Sequence, residues 1–373
     1  MTTPAPASAV RKTTPERSAL GVAGLFAGRN VKWGQFTRVA IRAGIDVLNL
    51  APGDEVLVPD YNCGSELDPL IDAGLRLRMY PVGQDTFVDP DQLSKRLGTN
   101  TRAIFLIHYF GFIQPYLAEI RALCDANGLR LIEDCAHSLL SGQNPADGRA
   151  GDISVFCLYK HFPVIGGGAL VLNDLRLDAE WVLDRPPSTT ETAKVLLRAA
   201  GERFFRGGGR QAKTAKTAHT SGRWIDGGRS DMPAHYYFAP HLRNRRMSRL
   251  TTRQIGGLDI AGTIAARRAN WQHYAGQLEK TQGAKPLFRE LPDDVCPLNY
   301  PVLVENSASI ARTMREKGNS VWAWWSGFHR KLEWDQAGAG ALLKTHVVAL
   351  PLDQALDERR ITRTCDTFRA LLA

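Results

Sequence analysis

Asp134 and Lys160 could together do chemistry on a carbonyl compound, and each stands at or just past the end of an apolar run. The run LIED ends in two carboxylates, Glu133 and Asp134. Bounded by polar residues, it reads as a buried parallel strand that delivers an acid to the carboxyl edge of a sheet. That edge is where open α/β folds hold their ligands. A second β-rich run, Asp152 to Leu158, precedes Lys160, and Gly166-Gly167-Gly168 leads into a further apolar strand, Ala169 to Leu172. A lysine at a strand end can condense with an aldehyde, and a buried carboxylate beside it can keep a pyridine nitrogen protonated so that the ring draws in electrons. These are the two requirements of a pyridoxal 5'-phosphate site. The same residues also read as a solvated lysine and a plain strand-end acid.

The flanking elements fit a layered α/β architecture. FTRVAIRAGIDVLNL (Phe36 to Leu50) has apolar residues at helical spacing, and Pro52-Gly53-Asp54 then turns the chain into the strand EVLVP. LRLRMYPV and AIFLIHYFGF read as strands, and DPDQLSKRL and PYLAEIRALCDANG as amphipathic helices between strands. Repeated βαβ spacing predicts a mostly parallel sheet covered on both faces, a three-layer α/β/α unit. Toward the C-terminus, LDIAGTIAARRANWQHYAGQLEK and ASIARTMREKG read as helices, and PLNYPVLVE and THVVALPLD as strands of a smaller α+β unit. The expected organisation is a disordered Pro/Thr/Ala-rich tail over 1–18, a large cofactor-binding domain over 19–256 and a small C-terminal domain over 257–373. Within the large domain, 197–228 is basic and Gly-rich, and reads equally as a mobile loop closing on an anion and as a solvated insertion. The aromatics of the Trp-rich run VWAWWSGFH (Val321 to His329) could stack on a sugar or base, but a place in the core or at an interface is favoured.

In chain order, PGDEVLVPDYNCGSELDPLIDAG, TRAIFLIHYFGF, LIEDCAHS, GDISVFCLYKHFPVIGGGAL and HLRNRRMSRLTTRQIGGLD resemble the DegT/DnrJ/EryC1/StrS family of sugar aminotransferases, within the fold type I aspartate-aminotransferase superfamily. The resemblance implies pyridoxal 5'-phosphate as cofactor and Lys160 as the catalytic lysine. It implies Asp134 against the pyridinium nitrogen, His137 on the ring's phenolic oxygen, and Thr37 and Arg38 at a helix start that receives the phosphate. Tyr61 and Cys63 lie in the loop that carries the family's stacking aromatic. That position falls on Cys63, so either Tyr61 takes the role from a neighbouring position or the ring is held by other groups. Cys157 stands where related sequences place a serine near the phosphate, and the family's GEGG is Ile165-Gly166-Gly167-Gly168 here. Asn244, in the N-x-R-M-S segment, implies a reach into the partner's site, hence a homodimer with shared active sites.

The implied reaction moves an amino group from an amino acid, by resemblance glutamate, to a keto group of a small acceptor, by resemblance a nucleotide-linked ketosugar. A non-sugar acceptor, dehydration or elimination on the same fold, and a non-enzymatic anion-binding protein remain as alternatives. The net charge of +9 suits a phosphorylated cofactor, a nucleotide sugar or nucleic acid. With Lys160 and Asp134 both present, small-molecule substrates are expected and nucleic acid is not. His108, at a strand end, is expected to be structural. Six cysteines without a CxxC pair read as reduced thiols. No apolar run reaches the length of a membrane span, no metal site is indicated, and a cytoplasmic enzyme is expected.

Overall fold

Strands such as RLIED, ISVFC and GALVL show no polar alternation, so both of their faces need apolar cover. The computed structural model, which describes residues 21–142, 147–197, 224–225, 229–334 and 338–373, meets that need with a central seven-stranded sheet. Its strands are β1 (Asn30–Gly34), β2 (Glu55–Pro59), β3 (Arg76–Tyr80), β4 (Thr101–Ile107), β5 (Arg130–Asp134), β6 (Ile153–Cys157) and β7 (Gly168–Leu172), in the order β1-β7-β6-β5-β4-β2-β3. Strands β2 to β6 run parallel, and β7 pairs antiparallel with both β6 and β1. Parallel neighbours require crossovers, which the helices Thr37–Val47, Asp68–Asp72, Pro90–Ser94 and Leu117–Ala126 provide. The fold is the three-layer α/β arrangement expected from the sequence.

Two local differences have clear causes. The strand expected through HYFGF ends at Ile107, because Phe110 (φ 55°) and Gly111 (φ 100°) are left-handed. A Cβ on Gly111 would lie 2.3 Å from the Cys296 carbonyl oxygen, so the turn needs its glycine. The helix expected over Phe36 to Leu50 covers Thr37–Val47 and stops before the left-handed Asn49 (φ 55°).

A two-stranded ribbon, β8 (Trp224–Ile225) and β9 (Arg229–Ser230), is followed by a four-stranded sheet. Its strands β10 (Lys285–Pro286), β11 (Asn299–Leu303), β12 (Trp322–Ala323) and β13 (Val347–Pro351) lie in the order β10-β11-β13-β12, all antiparallel. The helices Ile260–Leu278, Ser307–Glu316 and Glu358–Leu372 accompany it. Strand β13 serves two cores. Val347 and Ala349 join the large cluster of the central sheet, while Val348 and Leu350 join Trp271, Tyr300 and Phe368 in a second cluster. Period-2 alternation puts these pairs on opposite faces. The tail expected over 1–18 and most of 197–228 lie outside the described residues. Among the described residues no helix is long and apolar enough to cross a membrane.

Candidate active site

Because side chains alternate along a strand, β5 presents Glu133 and Asp134 to opposite faces of the sheet. Glu133 is fully engaged. Its Oε1 lies 2.8 Å from His108 Nε2, and its Oε2 accepts from the Gly151 amide at 2.8 Å. The Gln114 amide donates to His108 Nδ1, so the ring proton lies on Nε2 and points at the carboxylate. Burial pushes the Glu133 carboxyl up, but the hydrogen bonds from His108 and the Gly151 amide hold the group below the ordinary value.

Asp134 is treated differently. It is 4% exposed, and one oxygen accepts from the Ala136 amide at 2.8 Å. Among the described residues no donor bonds its other oxygen. Burial raises its pKa to about 6, with Lys160 drawing it down and Glu66 pushing it further up. His137, one turn on, is equally buried and accepts from the Phe110 amide through Nδ1 at 3.2 Å. Burial first, then the Lys160 charge, hold it well below the ordinary histidine value, so the ring is neutral with its proton on Nε2. That Nε2 is buried with no partner.

Lys160 follows β6. Its charge lowers the Asp134 carboxyl and the thiols of Cys63 and Cys157, and opposes protonation of His137, so the ammonium stands among all four groups. The turn carrying it is anchored from the second half of the chain: Arg267 and Gln354 both donate to the His161 carbonyl at 3.3 Å.

The glycine triplet seats a helix end beside this cluster. Gly166 (φ 82°) and Gly167 (φ 95°) bend the chain against the Gln35 carbonyl, to which the Gly167 amide donates at 2.7 Å. A Cβ on Gly168 would lie 2.5 Å from Thr37 Cα and 2.6 Å from Thr37 N. The helix Thr37–Val47 therefore begins directly on the end of β7. Its cap residue, Phe36, makes no side-chain cap bond, which leaves a first turn of amides suited to an anion. The Thr37 hydroxyl is buried without a hydrogen bond of full geometry, beside the Cys157 thiol and the Tyr159 side chain. Burial pushes the Cys157 thiol up.

The remaining candidates separate. The Arg38 guanidinium donates to the carbonyls of His235, Tyr236 and Tyr237 at 2.9, 2.7 and 3.4 Å, and its charge also bears on Tyr159 beside Thr37. Tyr61 is fully buried, stacked on Tyr109 with centroids 5.5 Å apart, and its hydroxyl reaches the Trp324 carbonyl at 3.5 Å. It lines the floor behind the site and offers no open face. Cys63 is close to Lys160, with its thiol pushed up to about 11, first by burial and then by Glu66. Asn244 adopts a left-handed turn (φ 59°), and its carbonyl accepts from the Arg185 amide. Its segment runs beside β1, where Gln35 and Met247 donate to Arg245 and Trp33 carbonyls, and no hydrogen bond joins it to Asp134, His137 or Lys160.

Two groups escaped the sequence reading. Glu66 is buried, accepts from the Cys63 amide at 2.7 Å and acts on Asp134, yet nothing in PDYNCGSELD marks it out. Trp324 and Trp325, expected in a core or interface, lie half-buried against His137, with centroids 5.6 and 4.9 Å away. Their signal was the Trp-rich run; its destination was not legible.

Comparison with known proteins gives a consistent result. Residues 37–201 match the sequence profile of the DegT/DnrJ/EryC1/StrS aminotransferase family. The chain is 27% identical over 139 residues to GDP-perosamine synthase of Vibrio cholerae, covering 36% of this chain and 38% of that protein. It is 27% identical over 234 residues to the UDP-N-acetyl-3-dehydro-alpha-D-glucosamine 3-aminotransferase of Acidithiobacillus ferrooxidans, covering 54% and 60%. Both matches span less than two thirds of those relatives' length. The aminotransferase TlmJ from Streptoalloteichus hindustanus has the same fold, with a TM-score of 0.67, 19% identity, and coverage of 95% of this chain and 90% of that one.

Proposed function

We propose, from the match of residues 37–201 to the DegT/DnrJ/EryC1/StrS aminotransferase family profile, that this chain is a pyridoxal 5'-phosphate-dependent aminotransferase. It moves an amino group from an amino acid, glutamate in the first instance, to a keto group on a nucleotide-linked sugar. The observation that carries the reading is a lysine beside a buried carboxylate with an idle oxygen and a neutral histidine with an idle N–H. A carboxyl raised to about 6 by burial has much to gain from a cationic partner, and a protonated pyridine nitrogen is one. Those idle groups, with the amide-rich helix start at Thr37, fit the three polar parts of the cofactor: ring nitrogen, phenolic oxygen and phosphate.

When bound, the cofactor supplies an aldehyde that captures amines and a ring that withdraws electrons from the carbon next to the captured nitrogen. Asp134 holds the positive charge on the ring nitrogen, and its short ionic bond is what sustains that withdrawal. His137 donates its Nε2 proton to an oxygen, its ring orientation fixed by the Phe110 amide. Thr37 and the first helical amides receive a phosphate, with Cys157 a weaker donor beside them. Lys160 Nζ removes a proton from the donor's carbon and returns one when the acceptor's amine forms, serving as base and then as acid. The nucleotide-linked acceptor rests on the names of the two relatives and on the +9 net charge. A homodimer in which Asn244 reaches the partner's phosphate site, and a cytoplasmic location, complete the proposal.

The test is the visible absorption of the purified chain with added cofactor, before and after glutamate, beside Lys160→Ala. A cofactor band that glutamate bleaches with release of a keto acid is expected, and Lys160→Ala should slow that release by about 10³-fold or more. A band indifferent to every amino acid donor would sink the aminotransferase reading.

A further inference from the structure

We propose that Trp325 provides the aromatic face on which the cofactor's planar ring lies, and that Lys344 is the positioning residue that holds Trp325 there. The inference rests on the functional reading above.

Trp325 touches both halves of the site. Its ring centroid lies 4.9 Å from that of His137, and Lys160 Nζ stands 5.9 Å from it. Tyr61 and Tyr109 lie behind it, at 5.3 and 5.8 Å. Both tyrosines are fully buried, whereas Trp325 is half-buried. Trp324 is half-buried as well and Tyr159 is exposed, but the Lys160 ammonium stands over the Trp325 ring, so Trp325 is the indole at the lysine that still has surface to give to a flat ligand. Planar π systems gain from offset stacking, which also fixes their tilt.

The backbone of Trp325 is held in an unfavourable conformation. Its φ of 54° lies in the left-handed region, which bulky residues rarely adopt and which surrounding structure must enforce. The enforcing group is Lys344, on the helix Ala339–His346. This lysine is fully buried, and its three ammonium donors bond the carbonyls of Trp325 (2.9 Å), Gly327 (2.7 Å) and Asn62 (2.7 Å). One cation thus ties the strained tryptophan to the loop that contains Cys63. The ammonium also sits 4.6 Å from the Trp334 ring centroid and 5.1 Å from that of Phe328. A charge taken fully out of water for three carbonyls makes sense as a clamp on that geometry.

The experiment titrates the full chain with pyridoxal 5'-phosphate and reads bound cofactor by absorbance and tryptophan fluorescence. Trp325→Ala is expected to weaken binding about tenfold, and Trp325→Phe, which keeps a π face, to stay within about threefold. Lys344→Met should weaken binding, and adding it to Trp325→Ala should change nothing more, a coupling that a purely structural lysine would not show. If Trp325→Ala does not fold, Trp325→Phe carries the test: cofactor quenching of tryptophan fluorescence should drop sharply at near-unchanged affinity, and full quenching would overturn the stacking role. Equal affinity in the unaltered chain and in Trp325→Ala would overturn this inference alone. Tighter binding in Trp325→Ala would overturn it too, making the indole an obstacle. A folded, unaltered chain that takes up no cofactor would overturn the functional reading and this inference with it.

Discussion

Two acid–histidine pairs lie back to back across β5, and they are finished in opposite ways. On one face Glu133 and His108 use each other and the backbone until no polar atom of the carboxylate or ring is idle. On the other face, among the described residues, Asp134 and His137 each keep one polar atom without a hydrogen-bond partner, and that of His137 is fully buried. An unpaired buried polar group is expensive, and folded proteins carry few of them. The difference teaches that the first pair is a fastening, whereas the second keeps bonding capacity in reserve, which under the proposed function the cofactor would take up. Residue type would not have separated them.

The comparison can be broken most severely from the fastened side. Glu133→Ala leaves the His108 N–H and the Gly151 amide without their acceptor, and should lower stability by about 3–5 kcal/mol in denaturant unfolding. The same carboxyl lies below its usual value when folded, so its contribution is present at neutral pH and lost as pH falls through that folded value. Asp134→Asn should move stability the other way in the cofactor-free protein. A carboxyl raised from 3.8 to about 6 disfavours the folded state above pH 6 by about 2–3 kcal/mol. The gain in melting temperature should be full above pH 6 and fade as pH falls toward 4, while cofactor affinity drops. A gain that persisted at pH 4 would refute the electrostatic cause. His137→Phe gives the smallest effect: it retains the contact with Trp325 and leaves only the Phe110 amide short of an acceptor, about 1 kcal/mol. If His137→Phe were as damaging as Glu133→Ala, the two pairs would not differ in kind.

The sequence was most informative where local pattern and tertiary role coincide. The apolar runs that become β5, β6 and β7 are uniformly buried, so their ends, and with them Asp134 and Lys160, could be assigned to one sheet edge. The glycine triplet could likewise be read as a close approach of backbone. What it approaches, the first residue of a helix begun at Thr37, depends on strand order, which no local pattern carries. Arg38 finds its acceptors at 235–237, nearly two hundred residues on, and Tyr61 finds its stacking partner in Tyr109; no local pattern carries either contact. Glu66, Trp325 and Lys344 were missed for the same reason: each acquires its meaning from a neighbour distant in sequence.

The shared strand β13 has a mechanical consequence. Since Val347 and Ala349 are embedded in one core and Val348 and Leu350 in the other, swinging the C-terminal sheet away would strip apolar side chains from both at once. The two sheets are therefore expected to melt in a single cooperative transition, read as coincident loss of both cores in thermal unfolding.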